Sequence, residues 1–188
     1  MEIVTGINLN NMKKILAFSG SASQDSINHQ LVKYAAALAP NLQVTILRLS
    51  DFEVPYYKKE IEVSAGIPEK IKQLRVLFDE TDGFILSTPE YNSSMPASLK
   101  NTLDWISRME GKIFQDKPVL LMAASPGGRG GQSVLNHLSA IMPFWGATVI
   151  GPFSLPRFND NFKDGKIVDS ELNSILAKLI SELDQSLG

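Results

Sequence analysis

The chain has 188 residues, 44% of them hydrophobic and 20% charged, a composition typical of one globular domain. Its net charge is −2, and it contains neither a basic stripe nor an apolar run of membrane-spanning length, which argues against nucleic-acid and membrane partners. The sequence has no cysteine and no signal-peptide pattern, so we expect a cytoplasmic protein in which any redox chemistry comes from a bound organic cofactor.

The apolar pattern alternates between strand-like and helix-like segments along the chain. Residues 1–11 show no period, and we interpret them as a leader outside a single domain of residues 12–188. In chain order the pattern predicts a strand at 15–18, a helix at 26–38, a strand at 44–47, a long loop at 49–66, a helix at 68–78, a strand at 83–86, a helix at 96–108, a strand at 119–123, a helix between Gly131 and Pro143, a strand at 148–150 and a helix at 170–187.

This alternation predicts an α/β fold built on a parallel sheet, because parallel neighbours are joined by right-handed helical crossovers. We expect a five-stranded, three-layer α/β/α sandwich with strand order 2-1-3-4-5. In such sheets ligands bind beyond the carboxyl ends of the strands, near the point where the strand order reverses. The residues that follow the first, third and fourth strands are therefore the candidate site.

The loop after the first strand, residues 20–28, is rich in hydroxyl residues and runs directly into a helix. A helix N-terminus offers free amides and partial positive charge, so it can hold a phosphate without a lysine. Further polar donors in this loop are Ser21, Ser23, Ser26 and Asn28. A plain helix cap by Asp25 or Ser26 is the alternative interpretation.

The loop after the third strand is polar and lies between Pro89 and Pro96. Two prolines fix the backbone of residues 90–95, and a rigid polar edge suits the edge of a flat heteroaromatic ring. A stiff structural turn is the alternative. Glu90 is a possible base, but we expect it to act through its backbone position.

The loop after the fourth strand, residues 125–131, contains four glycines. Glycines allow a backbone to approach a ring closely, and their amides favour the negative charge that a reduced ring develops. Simple flexibility is the alternative interpretation. Arg129 either supplies a cation to the site or is a solvated surface residue.

Together these loops resemble those of the NADPH-dependent FMN reductase family, which includes bacterial quinone, azo-dye and chromate reductases. The motifs that carry the resemblance are Gly20-Ser21…Ser26-x-Asn28, Pro89-Glu90-Tyr91-Asn92-x-Ser94-x-Pro96-x-x-Leu99-Lys100-Asn101-x-x-Asp104-Trp105 and Ser125-x-Gly127-x-x-Gly130-Gly131. The resemblance implies a flavodoxin-like fold, FMN as cofactor, NADPH or NADH as electron donor, and a homodimer or homotetramer.

The resemblance also implies that FMN contacts all three loops. The residues expected at the flavin are Gly20, Ser21, Ser23, Ser26, Ile27, Asn28, Pro89, Glu90, Tyr91, Asn92, Ser94, Ser125, Pro126, Gly127, Gly128, Arg129 and Gly130. No catalytic side chain and no metal is expected, since the cofactor carries the chemistry. We expect a ping-pong transfer to a small acceptor such as a quinone, azo compound, flavin or chromate, with Tyr56 and Tyr57 near the reactive face.

One departure from the family pattern concerns the phosphate loop, where Ser23 stands in place of the usual arginine. We expect weaker FMN retention as a result, which Ser23→Arg would improve. The alternatives are a flavodoxin-type electron carrier without an NAD(P)H site, and a binding module that has lost its flavin. His29 and His137 are assigned surface or capping roles rather than metal ligation.

Overall fold

The computed structural model describes residues 12–188, and the predicted leader lies outside the described residues. The main strands are β1 (Lys14–Ser19), β2 (Gln43–Arg48), β3 (Gly83–Ser87), β4 (Lys117–Ala124) and β5 (Ala147–Leu155). They form one parallel sheet in the order β2-β1-β3-β4-β5, which confirms the predicted topology. β5 continues beyond its predicted end because a register shift between Leu120 and Met122 of β4 accommodates Gly151-Pro152.

Within residues 12–188 the helices are α1 (Ile27–Ala37), α2 (Lys59–Ala65), α3 (Glu69–Asp79), α4 (Ala97–Ile106), α5 (Gln132–Ile141), α6 (Phe158–Asn161) and α7 (Ser170–Ser186). The prediction of a loop at residues 49–66 is wrong, since this segment contains a 3-10 turn (Leu49–Phe52) and α2. α2 buries none of its residues, so it lacks the apolar face by which a helix is recognised in sequence. A short hairpin, β6 (Phe162–Lys163) and β7 (Lys166–Ile167), was also not predicted.

Two apolar layers lie on opposite faces of the sheet. In β1, Leu16 and Phe18 pack toward α3, α4 and α5, whereas Ile15 and Ala17 pack toward α1 and α7. All five residues of β3 are buried, as expected for a central strand covered on both faces. Among residues 12–188, no helix combines the length and apolar character needed to cross a bilayer. The parallel strands end at a common edge, which brings the loops after β1, β3 and β4 together.

Candidate functional site

The three loops surround a cavity of about 240 Å³. The predicted residues that line it are Ser21, Ser23, Ser26, Ile27, Asn28, Pro89, Glu90, Tyr91, Ser125 and Pro126. Asp25 and Ala124 line it as well, and sequence reasoning did not place them at the ligand. The cavity therefore joins all three predicted loops in one site.

The other predicted residues do not line this cavity. They are Gly20, Asn92, Ser94, Gly127, Gly128, Arg129 and Gly130. Gly20 has a packing role, because a Cβ there would lie 2.7 Å from Leu99 Cδ2 and 2.8 Å from Thr88 Oγ1. Arg129 is exposed and its Nη2 donates to Ser133 Oγ at 2.9 Å, so the guanidinium lies along α5.

The loop after β1 leaves most of its amides available to a ligand. Ser21 Oγ accepts from the Ser23 amide at 3.1 Å, and Ser26 Oγ caps α1 by accepting from the His29 amide at 3.2 Å. The amides of residues 24–28 donate to no acceptor within residues 12–188. The predicted helix cap and a phosphate-binding function are thus compatible, since Ser26 satisfies one donor and several remain.

Asn28 is 1% exposed and connects α1 to the ends of two strands, β3 and β4. Its Oδ1 accepts from the Ala124 amide at 2.8 Å and from Ser87 Oγ at 2.8 Å, while its Nδ2 donates to the Ala124 carbonyl at 3.1 Å. The sequence predicts that this side-chain amide donates to the ligand. In the structure it fixes α1 to the ends of β3 and β4 and so sets the relative positions of the three loops.

Glu90 makes its hydrogen bond through its carboxylate, whereas the sequence predicts a role for its backbone position. Glu90 Oε2 accepts from the Val134 amide at 3.0 Å, in the first turn of α5, where a negative charge also complements the helix dipole. Gly131 directly precedes α5 at the N-cap position and has no side chain to cap the helix. Glu90 therefore supplies the missing cap and ties the loop after β3 to the glycine-rich loop after β4.

The tip of the loop after β3 is a tight turn. The backbones of Tyr91 and Ser94 exchange hydrogen bonds of 2.9 and 3.0 Å, and both intervening residues, Asn92 and Ser93, adopt left-handed φ values of 50° and 64°. Ser94 Oγ lies 3.0 Å from Nδ1 of the exposed His137 on α5. Contacts through Glu90 and Ser94 thus fix both ends of this loop to α5.

The sequence predicts a surface or capping role for His29, and the structure places this residue in the interior. It is 6% exposed on α1, and its Nδ1 has no hydrogen-bond partner among the described residues. Burial lowers the pKa of His29, and the positive charges of Arg48 and Lys33 lower it further. His29 is consequently neutral near pH 7.

The two tyrosines of the segment after β2 differ in their surroundings. Tyr57 donates its hydroxyl to Glu62 at 2.8 Å, and this hydrogen bond raises the Tyr57 pKa. Its ring packs edge-on against Trp105 at 5.1 Å between centroids, and its amide donates to Asn101 Oδ1 at 2.8 Å. Tyr56 is 68% exposed. The buried Trp105 and the half-buried Asn101 therefore hold this segment in place, while Tyr56 remains available for contact.

A second cavity of about 450 Å³ lies beside Tyr91. It is lined by Tyr91, Asn92, Ser94, Met95, Ala97, Lys100 and His137. Tyr91 lines both cavities, so the turn after β3 forms the boundary between them. Asn92 and Ser94, which were predicted at the flavin, face this second space.

Known proteins match this chain both in sequence and in fold. The model of the NADPH-dependent FMN reductase family matches residues 13–160. A quinone reductase of Escherichia coli K12 is 32% identical over 73% of each chain, and an NADPH azoreductase of a Bacillus strain is 34% identical over 68% of this chain and 67% of its own. The structure of FerB, a flavoenzyme NAD(P)H:(acceptor) oxidoreductase from Paracoccus denitrificans, superposes with a TM-score of 0.79 at 24% identity, covering 94% of this chain and 97% of FerB.

Proposed function

This chain belongs to the NADPH-dependent FMN reductase family, and on that premise we propose that the cavity beyond β1, β3 and β4 is its FMN site. The chain is an FMN-dependent NAD(P)H oxidoreductase with quinone and azo reductases among its relatives. The acceptor we propose is a quinone or an azo compound, with free flavin and chromate as further candidates. The observation that carries this assignment is the row of free amides at residues 24–28, beside a cavity that two more loops enclose.

The donors present in the cavity fit a phosphorylated planar cofactor. Ser21, Ser23 and Ser26 provide hydroxyls at the N-terminus of α1, where a helix stabilises negative charge. Pro89 and Tyr91, from the loop after β3, line the same cavity. The hydroxyls for a phosphate and the rigid loop for an aromatic ring therefore come from different strand ends, as a molecule with a charged tail and an aromatic head requires.

We assign a positioning function to the side chains around the groove. Glu90 holds the loop after β3 against α5, and Asn28 holds the ends of β3 and β4 against α1. When bound, FMN supplies the hydride-accepting and electron-donating chemistry that side chains lack. We propose that NAD(P)H and the acceptor occupy the same place in turn, next to Tyr91.

We also propose that the chain forms a homo-oligomer. Tyr56 and Phe144 are 68% and 84% exposed, and large exposed aromatic side chains are enriched at protein interfaces. Sedimentation of the purified protein tests this proposal, and a monomer at micromolar concentration would contradict it.

A spectroscopic experiment separates the proposed function from its alternatives. Protein loaded with FMN and freed of excess cofactor should be yellow, lose its colour when NADPH is added without oxygen, and regain it when a quinone follows. Colour that NADPH does not remove would instead indicate an electron carrier. Protein that stays colourless after loading would indicate a binding module without a flavin.

A further inference from the structure

The charges around the proposed FMN site leave the phosphate without an obvious counter-ion. Asp25 and Glu90 are the charged residues among the described residues that line the cavity, and both are acidic. Ser23 contributes a hydroxyl where the family pattern predicts an arginine. Building on the proposed FMN site, we propose that Arg48, at the end of β2, supplies the positive charge for the phosphate-binding loop.

The sheet register brings Arg48 to this loop. Arg48 pairs with Ser19, the last residue of β1, so the two strands end side by side. Its side chain points to the α1 face of the sheet, because the preceding Leu47 packs into the layer on the other face and side chains alternate along a strand. Arg48 Nη1 donates to the Gln24 carbonyl at 3.1 Å. The guanidinium is thus attached to the middle of the loop.

This hydrogen bond also orients a neighbouring amide. The peptide bond between Gln24 and Asp25 is trans, so its carbonyl and its N–H point in opposite directions. With the carbonyl directed at Arg48, the Asp25 N–H points away from the guanidinium, and it is one of the amides without a protein acceptor. Arg48 therefore contributes its charge and also the orientation of a donor.

The other basic groups near α1 are less suited to this role. His29 is neutral near pH 7, since burial and the neighbouring charges of Arg48 and Lys33 lower its pKa. Lys33 is exposed, lies more than one turn into α1 and makes no hydrogen bond to the loop within residues 12–188. Arg48 is half-buried, so its charge is less screened by solvent than that of Lys33.

The experiment compares FMN with riboflavin, which lacks the phosphate, by titrating apo-protein and following flavin fluorescence. Arg48→Met should weaken FMN binding about fivefold to tenfold, the size expected for one partly screened charge near a phosphate, and change riboflavin binding less than twofold. Arg48→Lys should retain most of the preference for FMN, and Lys33→Met, the matched control, should retain all of it. Unchanged riboflavin binding also shows that the Arg48→Met protein is folded around the rest of the site.

A second substitution tests whether Arg48 stands in for the missing loop arginine. Ser23→Arg should strengthen FMN binding more in the Arg48→Met background than in the wild type, because the two cations serve the same phosphate. Equal FMN affinity of Arg48→Met and wild type, or equal losses for FMN and riboflavin, would overturn the inference while leaving the FMN site itself intact. Wild-type protein that binds neither flavin would overturn the proposed function, and this inference with it.

Discussion

The loops after β1 and β3 border the same cavity, yet they are held in different ways. The first loop is exposed from residue 22 to residue 25 and is held mainly by its own serines and by Arg48. The loop after β3 is fixed to α5 through Glu90 and through Ser94. The difference fits the functions that we propose: the first loop keeps its amides free for an anion, whereas the loop after β3 uses its polar groups on protein partners and so forms a rigid edge.

The strongest test removes the residue that connects the two loops. Asn28→Ala leaves the Ala124 amide, the Ala124 carbonyl and Ser87 Oγ without their buried partner, and should reduce the free energy of unfolding by about 2–4 kcal/mol. Urea unfolding of the apo-protein measures this change in the free energy of unfolding. Asn28→Asp keeps one acceptor oxygen but turns a second oxygen toward the Ala124 carbonyl, so it should also lose stability, and more so once the buried carboxyl ionises. Equal stability of Asn28→Ala and wild type would show that the loops are held together by other contacts.

A smaller loss of stability is expected from substitution of Glu90, which joins the loop after β3 to α5. Glu90→Ala removes a helix cap and should cost about 1 kcal/mol of stability, together with weaker FMN binding because the loop loses its attachment. Glu90→Gln retains an acceptor oxygen and should keep most of the turnover, with an unchanged pH profile. If Glu90→Gln instead loses as much turnover as Glu90→Ala, the carboxylate acts in proton transfer rather than in positioning.

We expect the free energy of unfolding to depend on pH through His29, which is buried on α1. The pKa of His29 is lower in the folded chain than its ordinary value of 6.5, so the unfolded chain binds the proton more readily. Stability should therefore be full above pH 6.5 and fall as the pH drops below it. Urea unfolding at pH 5.5 and 7.5 measures this effect. His29→Gln should reduce the difference in stability between the two pH values, whereas the control His137→Gln should leave this difference unchanged. An equal difference in wild type and His29→Gln would exclude His29 as its cause.

The smallest effect is expected at the exposed end of the turn. His137→Ala removes one partly exposed hydrogen bond to Ser94 and should cost about 0.5 kcal/mol. The loss should match that of Ser94→Ala, and the double variant should show no further loss. Additive losses in thermal unfolding would indicate that the two residues act separately.

The fold was predictable because its strands are continuous apolar runs, and residues such as Ile15 to Phe18 have no stable place except inside a sheet covered on both faces. α2 was not, because it buries no residue. The loops of the site were predictable from their glycines, prolines and serines. The hydrogen-bond partners of three site residues could not be predicted, because each partner lies far away in the chain and only the folded sheet brings the pair together. These pairs are Asn28 with Ala124, Glu90 with Val134, and Arg48 with Gln24.

The close packing at Gly20 has a practical consequence for redesign of the enzyme. A single methyl group at this position would overlap with the side chains of Leu99 on α4 and of Thr88, so even alanine would force these packed side chains to move. The neighbouring positions 22–25 carry exposed side chains and tolerate variation far better. Libraries intended to alter cofactor choice should therefore randomise positions 22 to 25 and keep Gly20 constant.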